Sequence, residues 1–120
     1  GGTSWASIEL ARNSSIREQQ IAAPFVHWGM DTADLLPLVA SACAEVNMIG
    51  SGGVRDGVDI AKCIRLGAHM TALAQPFLAP ALESSQAVIE KIEILQEQLR
   101  WTMFLTGSKS INALRSAAVL

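Results

Sequence analysis

Half of the 120 residues are hydrophobic, 17% are charged, and the net charge is −2. At a mean hydropathy of +0.31 the chain is too apolar for a disordered segment and somewhat apolar for so short a free-standing domain, so further protein is expected to cover part of its surface. The weak acidity, without any basic run, gives no reason to expect nucleic acid or an anionic membrane surface as partner; a phosphate ligand must be held locally.

Gly1-Gly2-Thr3-Ser4-Trp5 opens like the middle of a motif, with no initiator Met, and the chain is expected to be a fragment. A short helical or irregular stretch over 6–10 follows, and residues 11–27, polar and then mixed with Pro24 among them, read as a long loop. Trp28-Gly29-Met30-Asp31-Thr32 turns into a helix of about 33–44, with Asp31 or Thr32 as N-cap. Leu35, Leu38, Val39 and Ala42 give it one apolar face. Pro37 falls in its early turns, where a missing amide costs little.

The apolar run 46–50 has the length of a buried parallel strand, and Ser51-Gly52-Gly53 follows at once. Val58, Ala61, Ile64 and Leu66 mark a helix of about 57–66, with Gly67 at its C-terminus. Residues 69–74 form the next strand, so strand, glycine loop, helix and strand make a βαβ unit. The rest is helical. Val88, Ile92, Leu95, Leu99 and Met103 share a face that continues to about Leu105; Gly107 ends that helix, and Ser110 caps a short final one through Leu114.

The loop Ile49-Gly50-Ser51-Gly52-Gly53-Val54-Arg55-Asp56-Gly57, between strand and helix, carries the strongest chemical signal. Glycines let backbone approach a ligand closely, successive amides line one concavity, and a helix N-terminus behind them adds partial positive charge. The structural alternative is an ordinary tight turn. Ala74-Gln75-Pro76-Phe77-Leu78 follows the next strand, and two consecutive strand ends with small-residue loops match the phosphate site after strands 7 and 8 of a (β/α)8 TIM barrel.

The run SGGVRDGxDxAKxxxLGA followed by AxPFL resembles the phosphate-binding half of FMN-dependent barrels, with a related pattern in inosine monophosphate dehydrogenases. Three further segments narrow the resemblance. Gly1-Gly2-Thr3-Ser4-Trp5 and Glu9 resemble the GGTSWxxxE segment of type 2 isopentenyl diphosphate isomerases. Trp28-Gly29-Met30-Asp31-Thr32-Ala33 is similar to the family's WGIPTA, and Leu99-Arg100-Trp101-Thr102-Met103-Phe104-Leu105-Thr106-Gly107 to its LRxxMFLTG.

The resemblance spans nearly the whole chain. It implies an α/β fold, the C-terminal part of a (β/α)8 barrel with about strands 7 and 8 and their flanking helices, and residues 1–120 as one partial domain. The whole enzyme would interconvert isopentenyl and dimethylallyl diphosphate, with reduced FMN as acid–base catalyst and with Mg2+ and NADPH also required. FMN contacts would come from Thr3, from Gly52, Gly53, Val54 and Arg55 mainly through amides, and from Ala74 and Gln75. No catalytic residue and no metal ligand falls on this chain: the family's flavin-contacting lysine, substrate glutamine and Mg2+-binding glutamate belong to an N-terminal half, and the isolated chain is expected to be inactive. Gly50 stands where the family usually has alanine, His69 where aspartate is frequent, and Gln75 in place of glycine or arginine. Rival readings are another FMN barrel enzyme or a self-associating half-barrel without catalysis, and a homo-oligomer is expected.

Cys43 and Cys63 lie in apolar helical stretches without zinc spacing and read as buried free thiols in a reducing, cytoplasmic setting. No apolar run has the roughly 18 residues of a membrane span. Trp28 and Trp101 read as packing residues, Trp5 as a core anchor or ligand cover, and His69 as a satisfied core residue. Arg55 either meets a phosphate or projects into solvent, and Asp56 and Asp59 favour the dipole of their helix.

Overall fold

The computed structural model describes residues 4–12 and 15–118. Helices α1 (Trp5–Arg12) and α2 (Ile16–Ala22) lead into a 3-10 turn over Ala23–Phe25. Most of the expected long loop is therefore ordered. Arg17, Glu18, Gln19 and Gln20 are polar, but they are straight-chain residues that lose little rotamer freedom in a helix. Ser15 caps α2 by accepting from the Glu18 amide, and Pro24 lies in the first positions of the 3-10 turn, where an amide is dispensable.

Helix α3 (Thr32–Ala42) has Asp31 at its N-cap, without a side-chain cap bond. Because α3 begins at Thr32, Pro37 is its sixth residue. It lies past the free first turn and removes an intrahelical hydrogen bond that the expectation had spared. Cys43 closes α3 and is exposed, contrary to the buried reading. At φ −134° and ψ 57° Cys43 has left the helical conformation, so it does not continue the face that carries Leu36, Val39 and Ala40.

Strands β1 (Ile49–Ser51) and β2 (Met70–Ala72) pair in parallel, Ile49 opposite Met70, Gly50 opposite Thr71 and Ser51 opposite Ala72. They are shorter than the sequence suggests. The Met48 carbonyl already accepts from the amides of His69 at 2.8 Å and Met70 at 3.2 Å, so pairing begins just before β1. Between the strands runs α4 (Gly57–Arg65), followed by Gly67 at φ +109°. A Cβ at Gly67 would stand 2.8 Å from the Ala40 Cβ, so this turn needs glycine for room as well as for backbone sign.

A 3-10 turn over Gln75–Phe77 leads to α5 (Leu78–Glu83), the long α6 (Ser85–Leu105) and α7 (Ile111–Arg115). Ser84 Oγ accepts from the Ala87 amide at 3.0 Å and Ser110 Oγ from the Ala113 amide at 3.1 Å, each satisfying a free first-turn donor.

Helix α4 sits between two apolar clusters. On its sheet side Cys63 packs with Leu36, Met48, Val54 and Ala68; on the other, Ala61 and Ile64 pack with Leu114, Leu99 and Met103. Gly50 faces α4 so closely that a Cβ there would lie 3.1 Å from the Cβ atoms of Cys63 and Ala68. The opposite face of the sheet is bare: Ile49 is 61% and Met70 64% exposed. Trp28 and Trp101 are also exposed, which corrects their reading as packed residues. Among the described residues no helix is long and apolar enough to cross a membrane.

Candidate functional site

Parallel pairing places the carboxyl ends of β1 and β2 at one end of the sheet, so the Gly52-to-Arg55 loop and the Ala74-Gln75 loop leave side by side. Adjacent strands are about 4.8 Å apart, within the span of one phosphate group and its donors. Gly52 has φ +98° and Gly53 φ +77°, a left-handed pair that lets the chain turn sharply after β1. Val54 drops into the core at 6% exposure and fixes the loop to α3 and α4.

The start of α4 is built from two aspartates. Asp56 Oδ1 accepts from the Asp59 amide at 2.9 Å, and Asp59 Oδ2 accepts from the Arg55 amide at 3.2 Å. This variant of a reciprocal cap gives both residues a role beyond complementing the dipole. It also means that the Arg55 amide is already engaged, which leaves the exposed guanidinium as that residue's free donor. Lys62 pairs with Asp59 Oδ1 at 3.2 Å and offsets the carboxylate beside the loop.

Thr32, read in the sequence as a cap candidate and as part of the Trp28-to-Ala33 segment, reaches the loop from the other side. Its Oγ1 lies 3.0 Å from the Ser51 carbonyl oxygen and 2.8 Å from that of Gly52. A cavity of about 220 Å³ opens between the first turn of α3, the loop and α4, with Thr32, Gly52, Gly53, Asp59 and Lys62 in its wall. Ala74 and Gln75 do not line it. Cys63 is among the residues beside that cavity, and burial of its thiol, with the nearby Asp59 carboxylate second, raises its pKa despite Lys62. It is therefore neutral and unreactive at physiological pH.

On the β2 side the Ala74 carbonyl accepts from the Phe77 amide at 3.0 Å, and Gln75 opens the 3-10 turn with its side chain exposed. His69 is exposed, yet it is satisfied: its Nδ1 accepts from the Met48 amide at 3.1 Å and helps bring the two strands into register. Thr3 and the side chain of Trp5 lie outside the described residues.

The profile of the FMN-dependent dehydrogenase family matches residues 27–120. The chain is 47% identical over 120 residues to an isopentenyl-diphosphate delta-isomerase of Stutzerimonas stutzeri, covering 100% of this chain and 35% of that protein. It is 44% identical over 117 residues to one of Rickettsia bellii, covering 98% and 34%. It therefore spans about a third of the length of the curated relatives it matches. Among solved structures, a Pediococcus acidilactici protein described as a lactate oxidase superposes with a TM-score of 0.67 at 29% identity, over 73% of this chain and 25% of its own. The chain thus belongs to the FMN-dependent dehydrogenase family and is homologous to isopentenyl-diphosphate delta-isomerases.

Proposed function

We propose that this chain holds the phosphate end of FMN in a flavoenzyme that interconverts isopentenyl and dimethylallyl diphosphate. The observation that carries the reading is the common exit of the two loops from one end of a parallel sheet, with left-handed glycines in the first and a helix N-terminus behind it. The donor set suits a phosphate monoester. Gly52, Gly53 and Val54 offer backbone, Arg55 offers its guanidinium, and Ala74 and Gln75 offer amides from the neighbouring strand, with Thr3 nearer the ribityl chain.

The bare face of the β1–β2 pair supports the larger architecture. Parallel strands are ordinarily covered on both sides, and Ile49 and Met70 are mostly exposed here. Strands 7 and 8 of a (β/α)8 barrel, with residues 1–120 as its last part, fit that arrangement. Relatives at 38–47% identity across this chain carry the isomerase name, which favours an isoprenoid diphosphate substrate. When bound, FMN supplies the acid–base chemistry; this chain's residues anchor and orient it and contribute no general base. The whole enzyme would also need Mg2+, NADPH as reductant, a cytoplasmic setting and a homo-oligomeric assembly. A second reading, a flavin-dependent oxidase or dehydrogenase of small hydroxy acids, draws on the lactate oxidase likeness.

Titration of the protein with FMN and riboflavin, followed by turnover assays with isopentenyl diphosphate and with lactate, tests the reading. FMN should bind the chain more tightly than riboflavin, and the whole enzyme that contains it, but not the isolated chain, should isomerise the diphosphate. Equal affinity for the two flavins would refute the phosphate site, and oxidation of lactate alone would move the chain to the second reading.

A further inference from the structure

We propose that Thr32 is a positioning residue that aims the glycine-loop amides at the anion; the inference rests on the phosphate site proposed above. A hydroxyl has one proton, and Thr32 Oγ1 shares it between the carbonyls of Ser51 and Gly52, at 3.0 and 2.8 Å. A trans peptide is planar, so its carbonyl and the following amide point in opposite directions. Drawing both carbonyls to one point therefore turns the Gly52 and Gly53 amides away from Thr32.

The register says where they turn. The Met48 carbonyl accepts from Met70, so the even-numbered carbonyls and amides of β1 face β2, and the Ser51 carbonyl faces the free edge where Thr32 stands. The opposite side is that of β2 and of the loop with Ala74 and Gln75. The Gly52 amide is turned toward that side, and the Gly53 amide, one peptide further on, is directed past the end of the sheet. With φ +98° and +77°, the two glycines resist rotation of these peptides less than any other residue type would. A permissive loop needs an external restraint to keep a donor aimed before its ligand arrives, and the Thr32 hydroxyl supplies it from the first residue of α3.

The test compares Thr32→Val, which keeps shape and loses the hydroxyl, with Thr32→Ser, which keeps it. Each is titrated with FMN and with riboflavin, and its thermal midpoint is recorded. Thr32→Val should bind FMN about fivefold more weakly, the factor of roughly one hydrogen bond, while riboflavin affinity stays unchanged and Thr32→Ser restores the FMN preference. If FMN and riboflavin weaken together, or if Thr32→Val keeps the wild-type preference, the positioning role is wrong while the phosphate site stands. If the unaltered protein shows no preference for FMN, the site and the inference both fall. Should Thr32→Val not fold, Thr32→Ala against Thr32→Ser gives the same comparison.

Discussion

The Gly57 amide donates to Gln98 Oε1 at 2.9 Å, joining the first turn of α4 to the middle of α6 across 41 residues of sequence. A Cβ at Gly57 would lie 2.4 Å from the Gln98 Cβ and 2.5 Å from the Leu99 backbone nitrogen. Helix propensity favours alanine over glycine by about 1 kcal/mol, so propensity and packing predict opposite signs. Packing wins, because part of the obstacle is backbone that cannot rotate aside. Gly57→Ala is expected to destabilise the protein by about 1–3 kcal/mol, and a rise in the urea midpoint would show that the helices separate at little cost.

Leu114 anchors α7. At 2% exposure it is packed with Ala61 and Ile64 of α4 and with Leu99 and Met103 of α6. Truncation leaves a cavity walled by two helices already tied at Gly57, so the site has little room to collapse. Leu114→Ala should cost about 2–5 kcal/mol in denaturant unfolding. A loss under 1 kcal/mol would mean that α7 is only loosely docked.

The two thiols should behave differently. Cys43 is exposed and should react with a maleimide in the native protein, whereas buried Cys63 should react only after unfolding. Burial raises the Cys63 pKa above that of an unfolded thiol, so the unfolded chain releases this proton first as pH rises. The stabilisation from the neutral thiol is complete below about pH 8.5, the unfolded value, and is lost as pH rises through the higher folded value. Cys63→Ala should flatten the alkaline fall in thermal midpoint; an unchanged slope would assign that fall to other groups.

Helix α4 and its surroundings were legible in the sequence because local signals agreed there: apolar spacing, an aspartate before the first turn, and glycines where the backbone turns left-handed. Helix α2 was hidden because its polar residues mark an exposed helix and a loop alike. Trp28 and Trp101 misled, since a large apolar side chain predicts burial only where the chain itself supplies the cover. In the site, the order strand, glycine loop, helix, strand was enough to bring 52–55 and 74–75 to one end. The links that shape the loop were not readable. Asp59 reaching back to Arg55, Thr32 reaching Gly52 and Gln98 meeting Gly57 depend on where side chains end in space, and no periodicity announces them.

The glycine loop itself can be tested against a matched control. Gly53 and Gly107 both have left-handed backbones, φ +77° and +65°. An alanine at either pays the same backbone strain of about 1–2 kcal/mol. Gly107 has open space where a Cβ would go and lies beyond α6, away from the loop, so Gly107→Ala should lower the thermal midpoint without changing FMN affinity. Gly53→Ala should lower the midpoint similarly and also weaken FMN about tenfold, because the methyl group and the altered peptide angle both act where the proposed site sets an amide against the phosphate. Fluorescence titration of the two variants side by side separates loss of stability from loss of the site. Equal FMN affinity in both would remove Gly53 from the binding loop.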